Sequence, residues 1–295
     1  MILVAGATGV LGSEIVRRLL GRGEKVRAMV RATSKADAVE RLKKAGAETV
    51  VADLKEPASL VAAFVGIDRV ISTVTTITTA QAGDSFEATD GDGTKALIDA
   101  ARKAGAKKFV FVSFDTTLVP DAPLVRAKRS AEEHLEKSGL DYTILHPSLF
   151  FETWLGPMLF ADPAAGTAKV YGTGSQKLRY VAVADVAEVA VQALSAPQAR
   201  NATIPFGGPD ETSQRDAVRI FEEAFGKKFT VTEVPEEALE AQWQSAKNPF
   251  EQTFASLILG VARGLGSGIP PFKLFPVRMT STREYVQRLA QQRAN

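Results

Sequence analysis

Residues 5–12 read AGATGVLG, which sets Gly6, Gly9 and Gly12 in a G-x-x-G-x-x-G spacing. The run follows a short apolar stretch, residues 2–5, and opens a segment in which Leu11, Ile15, Val16, Leu19 and Leu20 recur at helical spacing. Glycine reaches positive φ and lets a backbone approach a pyrophosphate closely. A helix that starts there offers unpaired N–H donors and a positive dipole end to phosphate oxygens. The main chain of Thr8, Val10 and Leu11 lies between the glycines and would line the same cradle. A tight strand-to-helix turn with no ligand is the competing reading. Three glycines at this spacing after a strand favour a dinucleotide.

The second expected strand ends Ala28-Met29-Val30-Arg31 and continues Ala32-Thr33-Ser34-Lys35, with no carboxylate before Asp37. An acidic side chain at this place, about 20 residues past the glycines, reads a ribose 2′-hydroxyl, whereas an arginine accommodates a 2′-phosphate. Arg31 offers a planar fork to phosphate and Lys35 a second charge, so the expected cofactor is NADP(H). Two solvated loop cations are the alternative. After the third expected strand, Asp53-Leu54 would sit beside the adenine, with a turn role for Asp53 as the other possibility.

Composition removes several chemistries. The chain has 295 residues, 45% hydrophobic and 24% charged, an ordinary globular balance. It has no cysteine, which excludes disulfides, thiolate catalysis and thiolate-held metals, and only two histidines, so no metal site is expected. A formal net charge of +2, with basic residues in scattered pairs such as Lys107–Lys108, gives no nucleic-acid track. No secretory lead precedes Ile2, and the apolar stretch at 254–262 is too short to span a bilayer. The expectation is a cytoplasmic protein with a small-molecule substrate and no nucleic-acid or membrane partner, as a monomer or homodimer.

These residues need a scaffold. Apolar runs at 26–30, 49–52, 70–74, 108–112 and 142–145 alternate with helical patterns at 38–45, from Pro57, at 93–104 and at 124–137. Such alternation predicts an α/β fold, a doubly wound parallel sheet of the Rossmann type. After Pro147 short elements and Pro/Gly turns take over, with helices expected at 185–194 and 212–225. This divides the chain into a nucleotide-binding domain at 1–150 and a smaller C-terminal α+β lobe at 151–295, interleaved with the sheet.

With GATGVLG, the Arg31 strand end, DGDGTKALIDAARKAGAKKFVFVS (90–113), SGLDYTILHPSLFFE (138–152), VAVADVAEVA (181–190) and TSTREYVQRL (280–289), the sequence resembles the atypical, NmrA-like branch of the short-chain dehydrogenases/reductases. The resemblance implies that Thr73, Val74 and Thr75, then Ser113 and Phe114, line the nicotinamide side, with Pro147, Ser148 and Leu149 passing beside its carboxamide. It places Lys128 at the lysine of the Y-x-x-x-K pair, holding ribose hydroxyls or moving a proton. Leu124 occupies the tyrosine position, so the usual proton donor is missing.

Lys128 read without the resemblance is a surface lysine pairing with Glu132 one turn on. His146, at a strand end, is either a proton donor or a structural histidine bonded to backbone, and His134 is expected in solvent. Candidate catalytic residues are therefore Lys128, Ser113 and His146. Phe150, Phe151, Trp154, Leu155 and Met158 either wall an apolar pocket or form core. The implied activity is NADPH-dependent reduction of a small apolar acceptor such as a quinone or conjugated carbonyl. A non-catalytic NADP(H)-binding redox sensor is the competing function. A scaffold or assembly factor would be expected to carry a degraded glycine loop, and this loop is intact.

Overall fold

In the computed structural model, which describes residues 1–77, 80–115 and 121–294, the first half runs β1 (Ile2–Ala5), α1 (Val10–Gly21), β2 (Val26–Val30), α2 (Ala36–Lys44), β3 (Glu48–Val51), α3 (Pro57–Ala63), β4 (Arg69–Ser72), α4 (Thr94–Lys103), β5 (Lys108–Val112), α5 (Pro123–Glu136) and β6 (Asp141–Pro147). Shorter elements follow. They are β7 (Leu149–Phe150), α6 (Phe151–Trp154), β8 (Ala161–Asp162), β9 (Thr167–Tyr171), β10 (Leu178–Val181), α7 (Val183–Ala193), β11 (Ala202–Phe206), β12 (Glu211–Thr212), α8 (Gln214–Phe225), β13 (Thr230–Val234), α9 (Glu236–Gln244), α10 (Pro249–Arg263) and α11 (Thr282–Ala294).

The main sheet has seven strands in the order β11-β6-β5-β4-β1-β2-β3. Every pairing from β3 across to β6 is parallel. The chain winds outward from β1 in both directions, which is the doubly wound Rossmann arrangement. Helices cover both faces of such a sheet, so its strands bury both sets of side chains. Ile2, Leu3, Val4, Phe109, Val110 and Phe111 are accordingly all without exposure. Winding that reverses between β1 and β4 leaves a crevice at their carboxyl ends, where open α/β sheets take ligands. The glycine loop leaves one of those ends.

Two boundaries differ from expectation for local reasons. β4 stops at Ser72 rather than 74, because only Thr73 among the next residues keeps a sheet bond, from its N–H to Ala5 O at 3.0 Å. The segment expected to be a connection up to Asp90 is helical from Phe86, in wide π-type turns over Phe86–Gly93 that run into α4. Its start is capped by the Ser85 hydroxyl, which accepts from the Ala88 N–H at 2.9 Å. Such π turns concentrate at functional sites.

The described residues form two compact units, one of Met1–Phe114, Pro123–His146 and Val186–Ile204, the other of Asp115–Ala122, Pro147–Asp185 and Pro205–Asn295. A single cut near residue 150 does not separate them, since most of α7 and of the seventh strand returns to the first unit. The second unit holds two three-stranded sheets, β12-β10-β7 and β13-β9-β8. Its α8 starts at Gln214, later than the expected 212, because Thr212 pairs with Leu178 and Ser213 closes a capping box with Asp216. Phe151, Leu155, Leu159 and Phe160 are buried core there, whereas Met158 is exposed. Trp154, Trp243 and Phe254 pack against a cluster of Leu159, Tyr171, Leu239, Ile258, Leu259 and Ala262. Among the described residues no helix is long and apolar enough to cross a membrane.

Candidate functional site

The glycine loop is closed by contacts that only hydrogen permits. Gly6 sits at φ +81°, and a Cβ there would lie 2.6 Å from Thr73 Oγ1. A Cβ on Gly12 would lie 2.1 Å from the Gly6 carbonyl oxygen, which as backbone cannot swing away. Gly9 donates to Gly6 O at 3.0 Å and serves as N-cap of α1, with no side chain capping the helix and no acidic residue in its first turn. The N–H groups of that turn are therefore left to solvent or an anion. Thr8 and Val10 stand exposed at the crest of the loop, and Leu11 is half-buried.

At the ends of β2 and β3 a second cluster gathers. Ser34 and Arg31 exchange bonds, Arg31 N–H to Ser34 Oγ and Ser34 N–H to Arg31 O, both at 2.9 Å, and so fix the turn. The Arg31 guanidinium reaches Asp84, with Nη1 2.7 Å from Oδ2. Lys55 Nζ bonds the other oxygen of the same carboxylate at 2.5 Å, and the Gln81 N–H adds a third bond at 3.0 Å. The Asp84 side chain has no exposure, while Arg31 and Lys55 keep 28% and 26%. Burial pushes the Asp84 carboxyl up, and the bonds from Lys55, Gln81 and Arg31 more than reverse this, holding it below its ordinary value. Lys35 is exposed and makes no ion pair among the described residues. Asp53 takes the turn role, accepting the Lys55 N–H at 2.9 Å, and Leu54 is buried in the core.

A third cluster lies past β4 and β5. Lys128 is not a surface lysine paired with Glu132. Its side chain is 4% exposed, donates to Val74 O at 2.7 Å, stands 3.1 Å from Asp90 Oδ1 and lies 5.0 Å over the Phe111 ring. The Asp90 carboxylate is fully buried, and its second oxygen accepts from the Thr76 N–H at 3.0 Å and the Thr76 hydroxyl at 2.7 Å. Glu132 instead meets His146, Nε2 to Oε1 at 3.0 Å, with both side chains largely buried. His134 is half-buried against Asp99 at 3.0 Å rather than solvated. The Ser72 and Ser113 hydroxyls are buried with no hydrogen-bond partner among the described residues, and Phe114 is half-buried. Leu124 is 3% exposed. Thr73 Oγ1 donates to Ala5 O at 3.2 Å, and Thr75 Oγ1 receives the Ile77 N–H at 3.4 Å. Pro147, Ser148 and Leu149 fall in the second unit, where Ser148 Oγ donates to Arg179 O at 2.7 Å and its N–H to Phe206 O at 2.8 Å.

Sequence reasoning missed Lys55, Asp84, Asp90 and Thr76. Each is joined to its partner across 14 to 53 residues, Lys55 and Arg31 to Asp84 from the turns after two other strands and Thr76 to Asp90 within the connection after β4. No local spacing signals such a pairing. The only trace is that Asp84 and Asp90 flank an apolar Phe86 in a stretch otherwise read as a loop.

The NmrA-like family model matches residues 1–257. The chain belongs to the NmrA-like family. This NmrA-like protein is 33% identical to a photosystem II assembly factor of Cyanophora paradoxa, over 95% of this chain and 88% of that one. It is 32% identical to an NAD(P)H azoreductase of Xenophilus azovorans, over 77% of this chain and 74% of that one. Among solved structures, the leucoanthocyanidin reductase–NADPH complex of Vitis vinifera shares the fold, with a TM-score of 0.81 at 18% identity over 98% and 99% of the two chains.

Two substitutions check the geometry. Gly12→Ala drives a Cβ into the Gly6 carbonyl and should lower stability by about 1–3 kcal/mol, the usual cost of overpacking, as read by urea unfolding. An unchanged midpoint would mean that the loop is looser than this. Lys128→Met strands the buried Asp90 charge and should cost about 3–5 kcal/mol, with Lys128→Met/Asp90→Asn recovering much of it. A double variant no more stable than the single one would contradict the pairing.

Proposed function

We propose that this NmrA-like protein binds NADP(H) at the carboxyl edge of its main sheet and uses it to reduce a small apolar acceptor, a quinone or a conjugated carbonyl. The observation that carries the reading is the uncapped N-terminus of α1 behind a loop in which no Cβ fits at Gly6 or Gly12. The residues present suit the cofactor in three further ways. Arg31 supplies a cation, with Lys35 nearby in sequence, where a 2′-phosphate would be read. The Ser113 hydroxyl, buried just past β5 with no partner among the described residues, could bond a ribose or carboxamide. The main chain of Thr73, Val74 and Thr75 follows directly on β4, beside the switch point.

The bound nicotinamide supplies hydride chemistry. The chain's own task is to hold it. First-turn N–H groups of α1 would bind pyrophosphate oxygens, and Arg31 would grip the adenosine phosphate. Lys128 anchors the Val74 carbonyl and thereby fixes the β4 end, with Asp90 holding the ammonium in place. With Leu124 where a tyrosine would stand, α5 offers no phenol at that position to protonate a nascent alkoxide. This selects acceptors whose reduced form is a stabilised anion. Hydride addition to a quinone yields a phenolate-type anion that water protonates, so a strong general acid is dispensable. His146, bonded to Glu132, is a buried group able to relay a proton.

A second reading, cofactor binding without turnover, is favoured by the same leucine and by the engagement of Lys128 with Val74 and Asp90. The assembly-factor relative accords with it. The two readings part on one assay, NADPH oxidation against a panel of quinones, enones and azo compounds. Turnover with at least one class, and tighter binding of NADPH than of NADH, is the expected result. Binding without oxidation at any pH would favour the second reading, and NADH binding at least as tightly as NADPH would remove the cofactor assignment.

A further inference from the structure

We propose that Asp84 is a specificity-determining positioning residue, which from inside the protein holds Arg31 and Lys55 side by side as a two-cation cradle for the adenosine 2′-phosphate. The inference rests on the NADP(H) reading and adds to it a second fixed cation and the anion that sets both. Arg31 alone is a flexible side chain at a strand end, and its aim would be lost to rotamer entropy. The Asp84 carboxylate removes that freedom. One oxygen takes Arg31 Nη1 at 2.7 Å and the Gln81 N–H at 3.0 Å, and the other takes Lys55 Nζ at 2.5 Å, with the Thr89 hydroxyl 3.5 Å away.

Burial decides what this arrangement can do. Asp84 is fully enclosed and so cannot touch a ligand, whereas each cation keeps about a quarter of its side-chain surface open. An exposed carboxylate at this place would accept from a ribose 2′-hydroxyl. An enclosed one cannot, and serves only to orient the cations. Both cationic heads keep open surface while the carboxylate between them has none, so a ligand here meets Arg31 and Lys55 rather than Asp84, and cations match a phosphate better than a hydroxyl. Asp53, 4.0 Å from Lys55 Nζ and 32% exposed, offsets part of the Lys55 charge, and its other oxygen accepts the Lys55 N–H in its own turn. The fold supplies the convergence. Parallel pairing of β2 with β3, in which Val30 faces Val51, brings the turns carrying Arg31 and Lys55 to the same sheet edge. Lys35, the second cation expected from sequence, has no comparable tether.

The test measures NADPH and NADH dissociation constants for the full-length protein, Asp84→Asn and Lys55→Gln, with a melting curve to establish that each folds. The inference expects Asp84→Asn and Lys55→Gln each to weaken NADPH about tenfold or more, the scale of a charged hydrogen bond, and to leave NADH within about twofold. Lys55→Gln keeps the Arg31–Asp84 bond, so it reads the same ratio if Asp84→Asn does not fold. If the unaltered protein prefers NADPH but both variants keep that preference, this inference falls and the NADP(H) reading stands. Tighter NADPH binding by Asp84→Asn would also overturn it, since Asp84 would then be competing with the phosphate for Arg31. If the unaltered protein shows no preference for NADPH, the cofactor reading itself fails.

Discussion

Where α1 leaves the glycine loop, the Gly12 α-carbon passes so close to the Gly6 carbonyl that any side chain would collide with it. That approach sets where the helix starts relative to β1. It brings unpaired N–H groups to the carboxyl end of a central strand, at the point where the sheet winding reverses. Everything read as a site in the first unit is arranged around this end: Thr73 bonded across to Ala5, the cations after β2 and β3, and the orphaned hydroxyls of Ser72 and Ser113 on β4 and beyond β5.

Two buried carboxylates organise the flanks of this edge. Asp84 gathers cations from the β2 and β3 turns, while Asp90 ties Lys128 of α5 to Thr76 after β4. Both lie on or beside the π-type turns of Phe86–Gly93, and Gly93 lets that segment approach Leu54, since a Cβ there would fall 2.8 Å from the Leu54 Cβ. A buried charge is tolerated only when paired and hydrogen-bonded. Each aspartate therefore fixes the position of a lysine or arginine head. In this arrangement Lys128 holds the Val74 carbonyl just past β4.

The parts of the fold that were legible in the sequence are those set by local pattern. The glycine loop, and the strands at 26–30 and 108–112, follow from apolar runs bounded by glycine or polar turns, and the structure has them at those residues. The role of Arg31 as a strand-end cation follows from its position alone. What could not be read locally are pairings between distant turns. Nothing near Lys55 announces Asp84, and nothing near Lys128 announces Asp90. A lysine four residues before a glutamate looks like a surface pair, yet Glu132 is taken by His146 and Lys128 by a residue 38 positions away (128 minus 90). The seventh strand was hidden for a similar reason, because its partner β6 lies far back in the chain.

Whether the loop between β1 and α1 is a dinucleotide cradle is decided by a crystal structure grown with NADP+. Pyrophosphate oxygens are expected within hydrogen-bonding distance, about 3 Å, of the amides that open α1, with the adenosine phosphate against Arg31. An adenosine bound elsewhere on the chain, or a loop that must unfold to admit it, would show that the loop is no such cradle.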